Sequence, residues 1–152
     1  MDDRATAARL CRAFARYQDE LLGMLAAILG SPEEARAALQ EALLKCWRRR
    51  QYLVEIEDLR AWVFRMTLHA GRDLRGRAAP RAPGAESRGR PGDLRRAIAA
   101  LPPEIQEVFL LRQSGGMSYG EIGRTLNLPE CTVKARMRLA LEQLAPALPG
   151  GD

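Results

Sequence analysis

A chain of 152 residues holds one or two domains, and its 47% hydrophobic fraction with only 5% aromatics predicts cores built from Leu, Ala, Val and Ile. No apolar run is long enough to span a bilayer, and the start, MDDRATAARLCRAF, lacks a signal-peptide apolar segment, which predicts a cytoplasmic protein without membrane insertion. The net charge of +5 is concentrated: residues 72–96 carry Arg72, Arg75, Arg77, Arg81, Arg88, Arg90, Arg95 and Arg96 against Asp73, Glu86 and Asp93, so the rest of the chain is balanced.

From about Ala5 to Leu29, Leu10, Phe14, Tyr17, Leu21, Leu25 and Ile28 recur at helical spacing, and Gly30 ends the run as a C-terminal cap would. Ser31, Pro32, Glu33 and Glu34 then read as a cap, a first-turn proline and a capping-box acid. They open a second helix to about Arg50, with Ala35, Leu39, Leu43, Cys46 and Trp47 toward a core. Residues 51–57, QYLVEIE, form a connection. Asp58 is placed to cap a third helix whose inner side carries Leu59, Trp62, Val63, Met66, Ala70 and Leu74. Residues 76–92 are interrupted by Gly76, Pro80, Pro83, Gly84, Gly89, Pro91 and Gly92, so no helix is expected there. That basic segment either tracks a phosphate backbone or simply stays solvated. Asp93 is expected to cap a short helix through Ala100, and Pro102 and Pro103 break it and open another, EIQEVFLLRQ.

Residues 118–144, SYGEIGRTLNLPECTVKARMRLALEQL, are the most informative stretch. Ser118 with Glu121 makes a capping box for one helix. Ile122, Leu126 and Leu128 close a small core, and Gly123 is small where a second helix must pass closely. Asn127 suits a left-handed turn residue, Pro129 blocks continuation, and Thr132 is expected to cap the next helix. At about 100° per residue, Val133, Met137, Ala140, Leu141 and Leu144 form the buried stripe of that second helix. Ala135 points away from it, flanked by Arg138 and Leu139, with Lys134 on the shoulder and Arg136 nearer the core edge. This is the sequence form of a helix-turn-helix, and its outer face suits a major groove, where Arg or Lys read guanine edges and apolar groups meet the thymine methyl. An amphipathic hairpin with a solvated basic side would share the periodicity but not the combined turn signals.

Cys11, Cys46 and Cys131 have no metal-site spacing and no CxxC pair. Cys46 belongs to an apolar helix pattern, whereas Cys131 beside the turn is the expected exposed thiol. His69 is the lone histidine and has no ligand set around it. The absence of a phosphate loop, nucleophile elbow or paired-acid motif argues against an enzyme, and no cofactor or metal is expected.

Over nearly its whole length the chain resembles the extracytoplasmic-function, or group IV, sigma factors of bacterial RNA polymerase. LPPEIQEVFLLRQSGGMSYGEIGRTLNLPECTVKARMRLALEQL is similar to their region 4. YQDELLGMLAAILGSPEEARAALQEALLKCW and LRAWVFRMTLHAGRDLRGR are similar to their region 2. The resemblance implies an all-α protein of two small helical domains: a region 2-like three-helix bundle at 1–76 and a region 4-like helix-turn-helix domain at 93–146. A flexible basic linker at 77–92 joins them. It implies a promoter-specificity subunit of cytoplasmic, nucleoid-associated habit. Its partners would be core RNA polymerase, through clamp and flap, promoter DNA, and an anti-sigma factor. The expected DNA contacts are Ser118, Tyr119, Thr132, Lys134, Ala135, Arg136, Arg138 and Leu139. Tyr52, Arg65, His69 and Arg72 are the promoter-melting candidates, and Gln40, Glu41, Leu44 and Trp47 the polymerase-binding ones.

The chain departs from the family pattern at particular places. Ala37 stands where an acid is usual, Leu68-His69 where Arg-Asn is frequent, and Leu139 where a base is frequent. The loop QYLVEIED offers Tyr52 as its only aromatic beside Glu55, Glu57 and Asp58, and acids there oppose a phosphate backbone. Tyr52 either stacks a displaced base or packs against Trp47 or Trp62. The alternative function is accordingly a sigma-like regulator that binds DNA or an anti-sigma protein without melting promoters.

Overall fold

The structure, a computed structural model, describes residues 3–77 and 93–147; the basic linker expected at 77–92 lies almost wholly outside the described residues. Four helices form the first domain: α1 (Asp3–Arg16), α2 (Gln18–Leu29), α3 (Pro32–Arg48) and α4 (Leu59–Arg77). Four more form the second: α5 (Asp93–Ala99), α6 (Pro103–Gln113), α7 (Tyr119–Leu126) and α8 (Glu130–Leu144). A 3₁₀ turn, Arg50–Glu55, links α3 to α4, and among the described residues no strand occurs.

The single helix expected over 5–29 is two helices, parted at Tyr17 (φ −105, ψ 14). Backbone bonds persist on either side: Tyr17 N–H donates to Ala13 at 3.1 Å, and Leu21 N–H donates to Tyr17 at 2.9 Å. The apolar phase therefore carries across the break, and periodicity alone does not reveal it. The Tyr17 ring instead meets Phe64 of α4, with centroids 5.8 Å apart. The bundle expected to have three helices has four for this reason.

The start of α3 follows its sequence signals. Gly30 adopts the left-handed conformation (φ 80), Ser31 Oγ accepts the Glu34 N–H at 3.3 Å and donates to Glu33 at 3.0 Å, and Pro32 occupies the first turn. The fully buried column of α3 is Ala35, Ala38, Ala42 and Cys46. Leu39, Leu43 and Trp47, expected in the core, pack at its edge. Small residues in that column let α3 lie close along α4, and the larger side chains close the seam from outside.

Asp58 caps α4 by accepting the Ala61 N–H at 3.1 Å. Helix α4 is the central element. It packs on α1, α2 and α3 and also meets α7 of the second domain, so Val63, Phe64, Leu68 and Ala70 are buried together, on more than one face. Each large apolar side chain among them contributes about 1.5–3 kcal/mol when fully buried. Its buried hydroxyl, Thr67, donates to the Val63 carbonyl at 2.8 Å, so that polar group is satisfied within the helix.

In the second domain, Pro102 and Pro103 stop α5 and start α6. The cap expected at Asp93 depends on a side chain outside the described residues. Gln106 is buried and donates to the Ile98 carbonyl at 3.1 Å, tying α6 to the end of α5. Val108, Leu111, Met117, Ile122, Val133 and Ala140 then form the core against which the last two helices sit.

Candidate nucleic-acid interface

The turn between α7 and α8 is fixed by local chemistry. Ser118 Oγ accepts the Glu121 N–H at 3.1 Å, and Glu121 Oε1 accepts the Ser118 N–H at 2.9 Å, a complete capping box. The backbone hydrogen bond from Ser118 is the main reason the Glu121 carboxyl titrates below its usual range, with Ser118 Oγ, Arg60 and Arg124 adding to it. Asn127 is left-handed (φ 58, ψ 51), and Leu128 N–H donates to the Gly123 carbonyl at 2.8 Å. A Cβ on Gly123 would stand 2.7 Å from the Leu128 carbonyl oxygen, so glycine is required for the turn to close.

Helix α8 starts earlier than expected. Pro129 is its N-cap residue, with no side-chain cap, and Thr132 lies inside the first turn, its N–H donating to the Pro129 carbonyl at 3.0 Å. Thr132 is therefore not the cap. The proline fixes φ near the helical value, and the chain turns helical directly after it. The first turn thus includes Glu130 and Cys131, both exposed. The sequence signal for this earlier start was Pro129 itself.

Lys134, Ala135, Arg138 and Leu139 are exposed together on the outer face, and Arg136 is half-buried at the edge. Val133, Met137, Ala140 and Leu144 form the buried stripe. Leu141, expected within it, is 48% exposed; it lies about 80° from Val133 on the helical wheel, beyond the narrow strip that α6 and α7 cover. At the other end of the motif, Ser118 is exposed, and the Tyr119 ring lies under Arg112, 4.7 Å from guanidinium to centroid. The expected DNA contacts therefore divide into an outer face of α8 and an edge at the start of α7.

The first domain presents a second surface. Gln40 and Leu44 are exposed on one face of α3, Glu41 approaches Arg48 at 3.9 Å, and Trp47 lies under Arg50 at 4.2 Å. Tyr52 is 52% exposed, which places it at the surface. Val54, unremarked in the sequence, is 75% exposed. Leu44 of α3 and Tyr52 and Val54 of the 3₁₀ turn thus each leave apolar area in solvent. An open cleft of about 460 Å³ lies beside Val54, edged also by Asp3, Arg48 and Arg50.

The remaining melting candidates lie on α4. Arg65 and His69 are exposed. Partial burial, then Arg65 and Arg72, hold the His69 imidazole below its usual value, against the opposing pull of Glu107 and Asp73. Arg72 is engaged: Nη1 donates to Glu107 of α6 at 2.9 Å, and Nη2 donates to the Pro103 carbonyl. Among the described residues no group of His, Cys, Asp and Glu could hold a metal ion, and no helix is long and apolar enough to cross a membrane.

Comparison with known proteins matches two family models to the two domains: Sigma-70 region 2 over residues 13–80, and Sigma-70, region 4 over residues 92–144. The RNA polymerase sigma-H factor of Pseudomonas aeruginosa is 23% identical across 88% of this chain and 82% of its own. The ECF RNA polymerase sigma factor SigE of Mycolicibacterium smegmatis is 40% identical across 34% of this chain and 20% of its own. Among solved structures, the sigma factor RpoE of Bartonella quintana, in a co-crystal with the anti-sigma factor NepR, has the same fold. Its TM-score is 0.64 and its identity 19%, over 88% of this chain and 92% of that one.

Proposed function

The chain belongs to the sigma-70 family, as an extracytoplasmic-function sigma factor of bacterial RNA polymerase, and on that premise we propose how its surfaces divide the work. Helix α8 reads duplex DNA with Lys134, Ala135, Arg138 and Leu139, while Ser118 and Tyr119 at the start of α7 and Arg136 hold the phosphate backbone. The exposed face of α3, with Gln40, Glu41, Leu44 and Trp47, docks on the polymerase. Tyr52, with Arg65, His69 and Arg72, takes the displaced strand. Val54 joins Leu44 and Tyr52 in the apolar part of that surface. The work is binding, not catalysis, in the cytoplasm at the nucleoid. An anti-sigma partner is a further expectation, supported by the RpoE–NepR co-crystal. The domains are assigned to 1–76 and 93–146, with 77–92 as the linker.

The observation that carries this reading is the outward face of α8, set on a turn that a complete capping box, Asn127 and Gly123 hold in one geometry. Selection of duplexes bound by the full chain, followed by transcription from the selected sequence with purified core polymerase, tests it. Transcription that depends on this protein is expected. A second reading, a sigma-like regulator that binds DNA without opening it, draws support from exposed Glu55 and Glu57 beside Tyr52. Selected duplexes that bind but support no transcription would favour it.

A further inference from the structure

Helix α1 carries four arginines and a single acid, Asp3. Arg50 takes that acid: its Nε donates to Asp3 Oδ1 at 3.2 Å, while its Nη1 donates to the Trp47 carbonyl at 3.0 Å and its guanidinium lies 4.2 Å from the Trp47 ring centroid. The start of α1 is thereby tied to the 3₁₀ turn, and Asp3 and Thr6 share the open cleft with Arg48, Arg50 and Val54. The other charges of α1 are sided. At about 100° per residue, Arg9, Arg12 and Arg16 fall within about 60° of one another, and Arg9 lies about 60° from Thr6 at the cleft. Ala8, Cys11 and Ala15 occupy the other flank of the helix. Arg12 and Arg16 are exposed and Arg9 is half-buried. None of the three forms an ion pair among the described residues, although Arg16 lies over the Tyr17 ring at 5.6 Å. Helix α1 thus presents a row of cations that begins within a turn of the cleft and runs away from it over about 10 Å of helix axis.

We propose that this row is a phosphate track: the single strand that Tyr52 stacks runs across the cleft past Arg48 and Arg50 and on along Arg9, Arg12 and Arg16. The proposal rests on the strand-capturing role given to Tyr52 above. The loop is electrically divided about that residue. Arg48, Arg49 and Arg50 precede it, and exposed Glu55 and Glu57 follow it, so phosphates are repelled on one side and drawn to the other. A single strand is held by a stacking platform together with a positive groove that follows its backbone. Tyr52 supplies the first, and α1 extends the second beyond what the loop alone offers. Guanidinium groups without a carboxylate partner are available to phosphate oxygens, which they meet two N–H groups at a time. The track is short, since exposed Asp19 and Glu20 at the start of α2 end it beyond Arg16. Its occupant is a single strand because the row continues from the stacking residue, and a base can stack there only where the strands have parted.

The test uses the full-length chain and a fluorescein-labelled single-stranded oligothymidine, with a mixed-sequence duplex of the same length for comparison, in anisotropy titrations over a range of salt. Each phosphate contact on a single strand contributes about 0.7 to the slope of log K against log salt. Arg9→Gln/Arg12→Gln/Arg16→Gln is expected to make the slope shallower by about two on the oligothymidine and to leave the duplex slope unchanged. Arg12→Gln alone is expected to remove about 0.7; its side chain is exposed, so this variant is free of any packing effect of Arg16 on Tyr17. The triple lysine variant at the same positions should keep the slope, since lysine meets a phosphate as a point charge. An unchanged single-strand slope in the glutamine triple overturns the track and leaves the row to an acidic protein. Equal flattening on the duplex overturns the assignment to a single strand, and a slope lost in the lysine triple as well overturns the role of charge. Tyr52→Ala tests the stacking role by itself: binding should weaken several-fold with the slope unchanged, because stacking releases no counterions. If that variant binds as the wild type does while the glutamine triple flattens the slope, the stacking role falls and the phosphate track stands.

Discussion

Glycine to alanine is a small change whose sign depends on place, and this chain offers both signs. In Gly123→Ala the new Cβ would stand 2.7 Å from the Leu128 carbonyl oxygen. That neighbour is backbone, and it belongs to the turn whose N–H groups bond back to the Gly123 carbonyl. Relief requires the turn to shift. Overpacking of this kind costs about 1–3 kcal/mol, while alanine recovers about 1 kcal/mol of helix propensity, so the net expectation is a loss of up to about 2 kcal/mol. Gly23, inside α2, has nothing within 4 Å of its Cβ position. Gly23→Ala should therefore stabilise the chain by about 0.5–1 kcal/mol. Native-state hydrogen exchange on the full-length protein separates the two, because it reports each domain's opening free energy by itself. Faster exchange confined to α7 and α8 is expected for Gly123→Ala, together with weaker duplex binding as α8 tilts. Equal stabilisation by both substitutions would refute the claim that close approach at the turn sets the angle of the recognition helix.

Arg138→Ala should cost about 1–3 kcal/mol on the preferred duplex and relax selection at one or two positions, whereas Arg136→Ala should weaken all sequences alike; competition binding over a randomised site distinguishes these. Tyr52→Ala should remove about 1–3 kcal/mol of stacking from the open complex, seen as reduced permanganate reactivity at the start site, with thermal stability unchanged because the ring is half in solvent. Burial pushes the Cys46 thiol up to about 12, so iodoacetamide at about pH 8 should modify Cys11 and Cys131 and spare Cys46 by peptide mass mapping. Glu121 titrates below its ordinary value in the fold, so its stabilisation is fully present above the ordinary carboxylate range and is lost as pH falls through the lowered value; exchange protection of α7 should decline with acid in the wild type and much less in Glu121→Gln.

The helix-turn-helix was legible because its determinants are local. Ser118 and Glu121 are three residues apart, Gly123 and Leu128 five, and the conformation of Asn127 follows from its own side chain. Where a feature depended on a distant partner, the sequence misled. The break at Tyr17 is invisible in the apolar phase, which the flanking backbone bonds preserve, and the ring it positions meets Phe64 on another helix. Thr132 is a good cap by type, but Pro129 had already started the helix. Periodicity placed Leu141 near the inner face without showing how narrow the covered strip is. Helix α4 was read as one-sided, yet it is buried on more than one face because α1, α2 and α3 all pack on it and α7 meets it as well. Arg60 looked like an ordinary helix arginine, and nothing within reach of a local pattern joins it to Glu121, 61 positions later.

The Glu121 carboxylate carries two obligations on its two oxygens: Oε1 completes the start of α7, and Oε2 meets Arg60. Position 121 is therefore nearly closed to mutational drift. Glutamine keeps the first obligation and weakens the second, while any apolar residue fails both. Glu107, in the middle of α6, holds no helix end; it meets Arg72 and pulls on the His69 imidazole. Variation in the strength of the contact between the domains has its open route at positions 60, 72 and 107, three positions that can change without disturbing the capping box at the start of α7.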